Sequence, residues 1–141
     1  VTKENNLAQR LQAAVEHALA NKQVPVTIEV CIWYDDGDVW TAALTAISAS
    51  FGGIEVWDLV TAASVALLPD GSMVINPAQS SGGSCMRLAM MGKMVVAWEQ
   101  EGAFEREEAE SALALCKTGC RTMRKLLQEY LIQRETGDSS Q

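Results

Sequence analysis

This sequence predicts an α+β domain. Two stretches, 7–20 and 104–134, repeat apolar residues every three or four positions, the period of a helix with one buried face. Between them lie short runs rich in β-branched and small apolar residues, each bounded by a Gly, Pro or Asp turn.

Residues 1–6 are polar and expected to fray. In the first helix Leu7, Leu11, Ala14, Val15 and Ala18 share a face. Asn21 is a fitting stop, and Pro25 prevents continuation. His17, the single histidine, has no Cys or Ser nearby at a nucleophile spacing, so it reads as an ordinary helix residue. Residues 26–34 alternate Val26, Ile28, Val30, Ile32 and Tyr34 with Thr27, Glu29, Cys31 and Trp33, which is strand periodicity. Asp35, Asp36, Gly37 and Asp38 carry turn chemistry, and Asp38 can cap the helix that follows. That helix, 39–50, is rich in Ala, Ser and Thr, with Leu44, Ile47 and Phe51 at helical spacing; Gly52 and Gly53 end it.

Residues 58–68 are almost continuously small and apolar, as in a central strand covered on both faces. Pro69, Asp70 and Gly71 form a turn before a short strand at 72–76, which Pro77 breaks. After a Ser/Gly loop at 79–84, residues 85–91 and 93–99 read as two strands joined tightly at Gly92. Met86, Met90 and Met91 cluster here as core or interface filler. In the last helix Leu113, Cys116, Cys120, Met123, Leu127 and Tyr130 form an apolar stripe. Glu105, Glu107, Glu108 and Glu110 occupy its first turns, and Lys117, Arg121, Arg124 and Lys125 later ones; this order suits the helix dipole and a solvated face. Gly119 costs about 1 kcal/mol relative to Ala inside a helix, so close packing on the sheet is expected there. Residues 135–141 are expected to be a disordered tail, leaving one domain at 7–134.

The totals agree. A 141-residue chain suits one domain and buries roughly 68–70% of its unfolded surface. A net charge of −7 counts against non-specific nucleic-acid binding. No run is apolar for long enough to span a membrane, and no signal peptide is evident. Cys31, Cys85, Cys116 and Cys120 contain no C-x-x-C pair and lack the histidines of a zinc site; they read as reduced structural thiols. No metal or cofactor is expected, and no Walker loop, dinucleotide fingerprint or hydrolase elbow is found.

The order helix, strand, Asp-Gly turn, Ala-rich helix, four strands, long helix resembles the C-terminal part of the RNase PH fold. Asp36-Gly37, the run from Thr41 to Ala46, the run from Gly53 to Val60, and Lys117-Thr118-Gly119-Cys120-Arg121 carry the resemblance. It spans about residues 7–132 and implies the ribosomal protein S5 domain 2-like, RNase PH-type fold. That fold would be a mixed sheet with helices packed on it, here lacking the usual N-terminal strands. Another chain or segment is then expected to cover the apolar face those strands would cover. Within the family, the chain resembles the RNase PH-type subunits of the exosome ring.

Two departures from the family pattern bear on activity. Active members carry a D-G-G-T-R-T-A-like turn whose Thr and Arg, with the helix N-terminus, hold the attacking phosphate. Here the turn is Asp36, Gly37, Asp38, Val39, Trp40: a degenerate phosphate turn, with Trp40 in the place of the Arg and Asp38 repelling an anion. Active members also place acidic residues after the short strand that follows the P-D-G turn; residues 76–81 contain none. Phosphorolysis needs both a held anion and a protonated leaving group. The resemblance therefore implies no enzyme and no catalytic residue, but a structural subunit of an exosome-like RNA processing and degradation complex, rRNA processing included, in nucleus and cytoplasm. Its partners would be other RNase PH-like chains in a hetero-oligomeric ring, with RNA met through the assembled complex and no membrane or DNA. Arg87 and Lys93 are candidate RNA or partner contacts; Trp33, Trp57, Met86, Met90 and Trp98 are candidate interface residues. A divergent phosphate-dependent exoribonuclease and an interaction module without an RNA role stand as alternatives.

Overall fold

The structure is a computed structural model describing residues 2–21, 23–33, 38–51, 55–75 and 84–139, with residues 2–4 and 135–139 as backbone alone. Helix α1 (Thr2–Val15) tightens into a 3-10 turn (Glu16–Ala18) and is followed by α2 (Val39–Ala49). Strands β1 (Val60–Leu67), β2 (Met73–Ile75), β3 (Ser84–Met91) and β4 (Met94–Glu101) precede α3 (Arg106–Ser139). The sheet order is β2-β1-β3-β4.

Every pairing in this sheet is antiparallel, so the expected mixed sheet is corrected among the described residues. The connections explain the outer two of the three pairings. Short turns join β1 to β2 and β3 to β4, and a short turn can only fold a strand back on its neighbour. In the first, Asp70 Oδ1 accepts from the Ser72 amide at 2.9 Å. In the second, Gly92 takes φ +62°, the left-handed conformation favoured in two-residue hairpin turns. One register shift between Ala89 and Met90 marks a bulge in the β3–β4 ladder.

The predicted strand at 26–34 is also corrected. Its described residues join no ladder, and Ile28, Val30, Ile32 and Trp33 are exposed, Trp33 by 94%. A strand is stabilised by hydrogen-bonded neighbours and a covered face. This segment keeps the alternating pattern without either among the described residues. Tyr34, Asp35, Asp36 and Gly37, the Gly52-Gly53 stop and the 76–81 stretch lie outside the described residues.

Three layers result, with α1 and α2 on one face of the sheet and α3 on the other. Val60 and Ala62 of β1 join the core with Leu11, Trp40, Leu44 and Ile47. Ala63 and Val65 point the other way, into a core with Leu88, Ala112, Cys116 and Cys120. Residues Val60 to Ala66 are all buried, which accounts for the unbroken small, apolar run. Close approach of α3 is built into the sequence: a Cβ on Gly119 would stand 2.8 Å from Ala63 Cβ. Thr61 Oγ1 donates to Cys120 O at 3.0 Å, and Cys120 Sγ lies 3.5 Å from Leu88 O. Burial pushes the thiols of Cys116 and Cys120 up, to about 12 and about 11.

The helix ends differ from expectation. α1 begins at Thr2, inside the stretch expected to fray, and α3 continues to Ser139, past the expected end at 134. At 34 residues α3 is about 51 Å long, against about 27 Å for the eight residues of β1. It therefore overruns the sheet, and Met123, Leu127 and Leu131 pack into the core of α1 and α2. Tyr130, expected in the buried stripe, is 48% exposed; the stripe passes through Leu131 instead.

Candidate functional site

The junction before α2 is the place to look for an anion, because a helix N-terminus gathers unsatisfied N–H groups. Asp38 is the N-cap residue, and its Oδ1 accepts from the Thr41 amide at 3.4 Å. Its Oδ2 accepts a short hydrogen bond from Ser64 Oγ of β1. Arg87 Nε of β3 stands 3.8 Å from Asp38 Oδ1. The Asp38 and Arg87 side chains are 13% and 14% exposed. Asp36 and Gly37 of the predicted turn lie outside the described residues.

Arg87 holds further carboxylates. Its Nη1 lies 3.2 Å from Glu101 and 3.9 Å from Glu99, both on β4. Glu99 in turn accepts from Arg10 Nε and Nη2 of α1, at 2.5 Å each. The network thus sets two guanidinium groups against three carboxylates and ties α1, α2, β1, β3 and β4 together. Burial works against the Arg87 charge, but its neighbours outweigh burial and raise its pKa above the usual guanidinium value. The neighbours that do this are Cys85, as thiolate at the high pH where a guanidinium titrates, then Glu101 and Asp38. Burial likewise pushes the Cys85 thiol up, against a weaker pull from Arg87, so it is no activated nucleophile.

Val39 is half-buried and Trp40 is 2% exposed, deep in the core with α1. The Arg10 guanidinium carbon lies 5.9 Å from the Trp40 ring centroid, within cation–π range. Trp40 Nε1 and Thr41 Oγ1 are buried with no hydrogen-bond partner among the described residues.

The remaining predicted residues divide. Trp33, Trp57 and Trp98 are exposed by 94%, 72% and 52%. Lys93 is exposed in the β3–β4 turn. Met86 and Met90, read as core or interface filler and named as candidate interface residues, are core residues at 2% and 4% exposure, because their side of β3 faces α3. Arg87, expected to meet RNA or a partner, is committed to the internal network. Arg10, Ser64, Glu99 and Glu101 belong to that network and carry no motif that marks them in the sequence. No group of three or more His, Cys, Asp or Glu among the described residues could hold a metal ion. None of the described helices is long and apolar enough to cross a membrane.

The fold is an α+β domain similar to an RNase PH-type domain, and the N-terminus of α2 is capped by the Asp38 carboxylate. The crystal structure of rice (Oryza sativa) Rrp46 is similar, with a TM-score of 0.75 at 16% identity. The match covers 91% of this chain and 65% of the rice chain, so this chain spans just under two thirds of that protein's length. At this identity the likeness is one of fold. No family model matches the chain, and no curated protein matches it in sequence.

Proposed function

We propose that this chain is a non-catalytic structural subunit of an exosome-like 3′→5′ RNA processing and degradation complex, forming a ring with RNase PH-like partners. The fold likeness to rice Rrp46 supports the ring role. The observation that carries the non-catalytic part is the Asp38 carboxylate at the α2 N-terminus, hydrogen-bonded by Ser64 and paired with Arg87. A phosphate approaching this turn meets three carboxylates, and the position where the family's turn carries its Arg holds the buried indole of Trp40. RNA is bound by the assembled ring and not by this chain alone, in keeping with its net charge of −7. The exposed 26–33 segment and Trp33, Trp57 and Trp98 are the surfaces offered to partner chains, aromatics being favoured at interfaces. The complex acts in nucleus and cytoplasm, on RNA, rRNA among it, and not on DNA or at a membrane.

Co-expression with RNase PH-like ring subunits, followed by gel filtration, tests the reading. Co-elution in a ring is expected; a persistent monomer beside assembled partners refutes it. Supplying phosphate and single-stranded RNA to the isolated chain tests the non-catalytic part. No release of nucleoside diphosphates is expected.

A further inference from the structure

We propose that the free edge of β4 takes an extended acidic segment of a partner protein as a fifth strand, with carboxylates of that segment meeting Lys117 and Arg121 of α3. The inference deepens the partner-surface reading above by assigning Trp98 to one kind of partner.

β4 ends the sheet, and among the described residues it pairs with β3 alone. Its outer N–H and C=O groups are therefore a template for another strand. Met94 to Glu101 contain no proline. Beyond the bulge, Ala97 to Glu101 keep an unbroken register with β3, enough for a strand of ordinary length. Trp98 pairs with Leu88 and Val95 with Met90; cross-strand partners share a face, so both lie on the α3 side of β4. They stay 52% and 45% exposed because α3 sits over β1 and β3.

Charge selects the occupant. Gly119 turns one flank of α3 to Ala63 and Ile75. Lys117 and Arg121 stand two residues to either side of it, on a flank about 160° away. That flank looks toward β4: Arg124, two turns beyond Lys117, pairs with Asp58, which lies against Gly92 of the β3–β4 turn. Arg10, Arg87, Arg106 and Arg124 are each ion-paired. Lys93, Lys117 and Arg121 have no carboxylate partner among the described residues. Leu113, Lys117 and Arg121 line an open recess of about 320 Å³. In a chain of net charge −7, these unpaired cations beside two exposed apolar side chains match an acidic segment with an apolar residue between its carboxylates. Glu99 and Glu101 occupy the other side of β4, so the segment's alternate residues are uncharged there. A strand edge also asks for N–H and C=O groups in return, which a peptide backbone supplies and a phosphodiester backbone does not.

The test titrates synthetic peptides into the isotopically labelled whole chain and follows amide resonances. The probe is a nonapeptide with Glu and Phe alternating on one face and Thr filling the other. Saturable shifts at the amides of Ala97 to Glu101 are expected, with an affinity that falls as salt rises. Lys117→Gln together with Arg121→Gln should weaken binding roughly three- to tenfold. Trp98→Ala should weaken it roughly tenfold or more. All three are surface changes that leave the fold standing. Of two copies of the peptide, each N-methylated on one alternate set of residues, one cannot complete the ladder and should fail to bind. No saturable response to the unmethylated peptide at millimolar concentration overturns the inference, as does equal binding by both methylated copies. A short oligouridylate that shifts these amides where the peptide does not overturns it in favour of RNA. None of these outcomes touches the ring reading, which stands or falls on co-elution with RNase PH-like subunits.

Discussion

Gly119→Ala should destabilise this protein, although alanine is the better helix former. Two effects oppose. In an exposed helix interior the change would stabilise by about 1 kcal/mol. Here the new methyl would stand 2.8 Å from Ala63 Cβ, well inside the 3.4–4 Å of ordinary contact. Relief requires α3 and β1 to separate by more than half an ångström, but Thr61 Oγ1 is bonded to Cys120 O one residue along, at 3.0 Å. Cys116 Sγ and Cys120 Sγ also sit against the carbonyls of Met86 and Leu88, at 3.7 and 3.5 Å. Overpacking of this kind costs about 1–3 kcal/mol, so the net loss should be about 1 kcal/mol, a fall in melting temperature of roughly 4 °C. Urea denaturation measures it as a shift in midpoint at constant slope. The companion change Ala63→Gly removes the opposing methyl, and the double variant should show a coupling of about 1 kcal/mol in favour of the pair. Stabilisation by Gly119→Ala alone would mean that α3 does not rest on β1 as described.

The buried thiols imply a pH dependence. Cys116 and Cys120 hold their protons up to about 12 and about 11, against an ordinary 9.0, so the unfolded chain deprotonates first. Their contribution to stability is complete below pH 9 and is lost as pH climbs toward those values; replacing both by Ala or Val should flatten that decline in a pH series of denaturation midpoints. Arg87→Met leaves Asp38 and Glu101 facing an apolar chain and should cost about 2 kcal/mol, read by chemical denaturation, with the loss shrinking at high salt. Arg124→Ala breaks the contacts of Arg124 Nη2 with Asp58, at 3.0 and 3.1 Å. Because both side chains are about one-third exposed, the loss should stay within about 1 kcal/mol.

Sequence periodicity located β1, the hairpin turns at Asp70-Gly71 and Gly92, α2, and the close seat of Gly119, because each has a local cause. A continuous small run, a residue with φ above zero and a glycine inside a helix are legible one window at a time. The polar network is not. Its pairing of Arg87 with Glu99 exists because the bulge adds one residue to β4; without it Arg87 would stand opposite Trp98. Nothing in the β4 sequence announces that bulge. Which side of β3 carries Met86 and Met90 was hidden for a related reason: methionine suits a core and a surface equally. The 26–34 run failed in the opposite sense. Its alternation is real, but a strand also needs a neighbour, and neighbours are not written in local sequence. Asp38 lay between these cases: its capping role was legible, its bond to Ser64 and its pairing with Arg87 were not.

The unladdered run from Val26 to Trp33 has a practical consequence for anyone handling the protein. Greasy residues at every second position on a solvent-facing stretch are adhesive toward one another, the feature natural sheets hide at their borders. Overproduced by itself, this polypeptide should be prone to precipitation, and lysines at positions 28 and 32 should keep it in solution while leaving the buried layers alone.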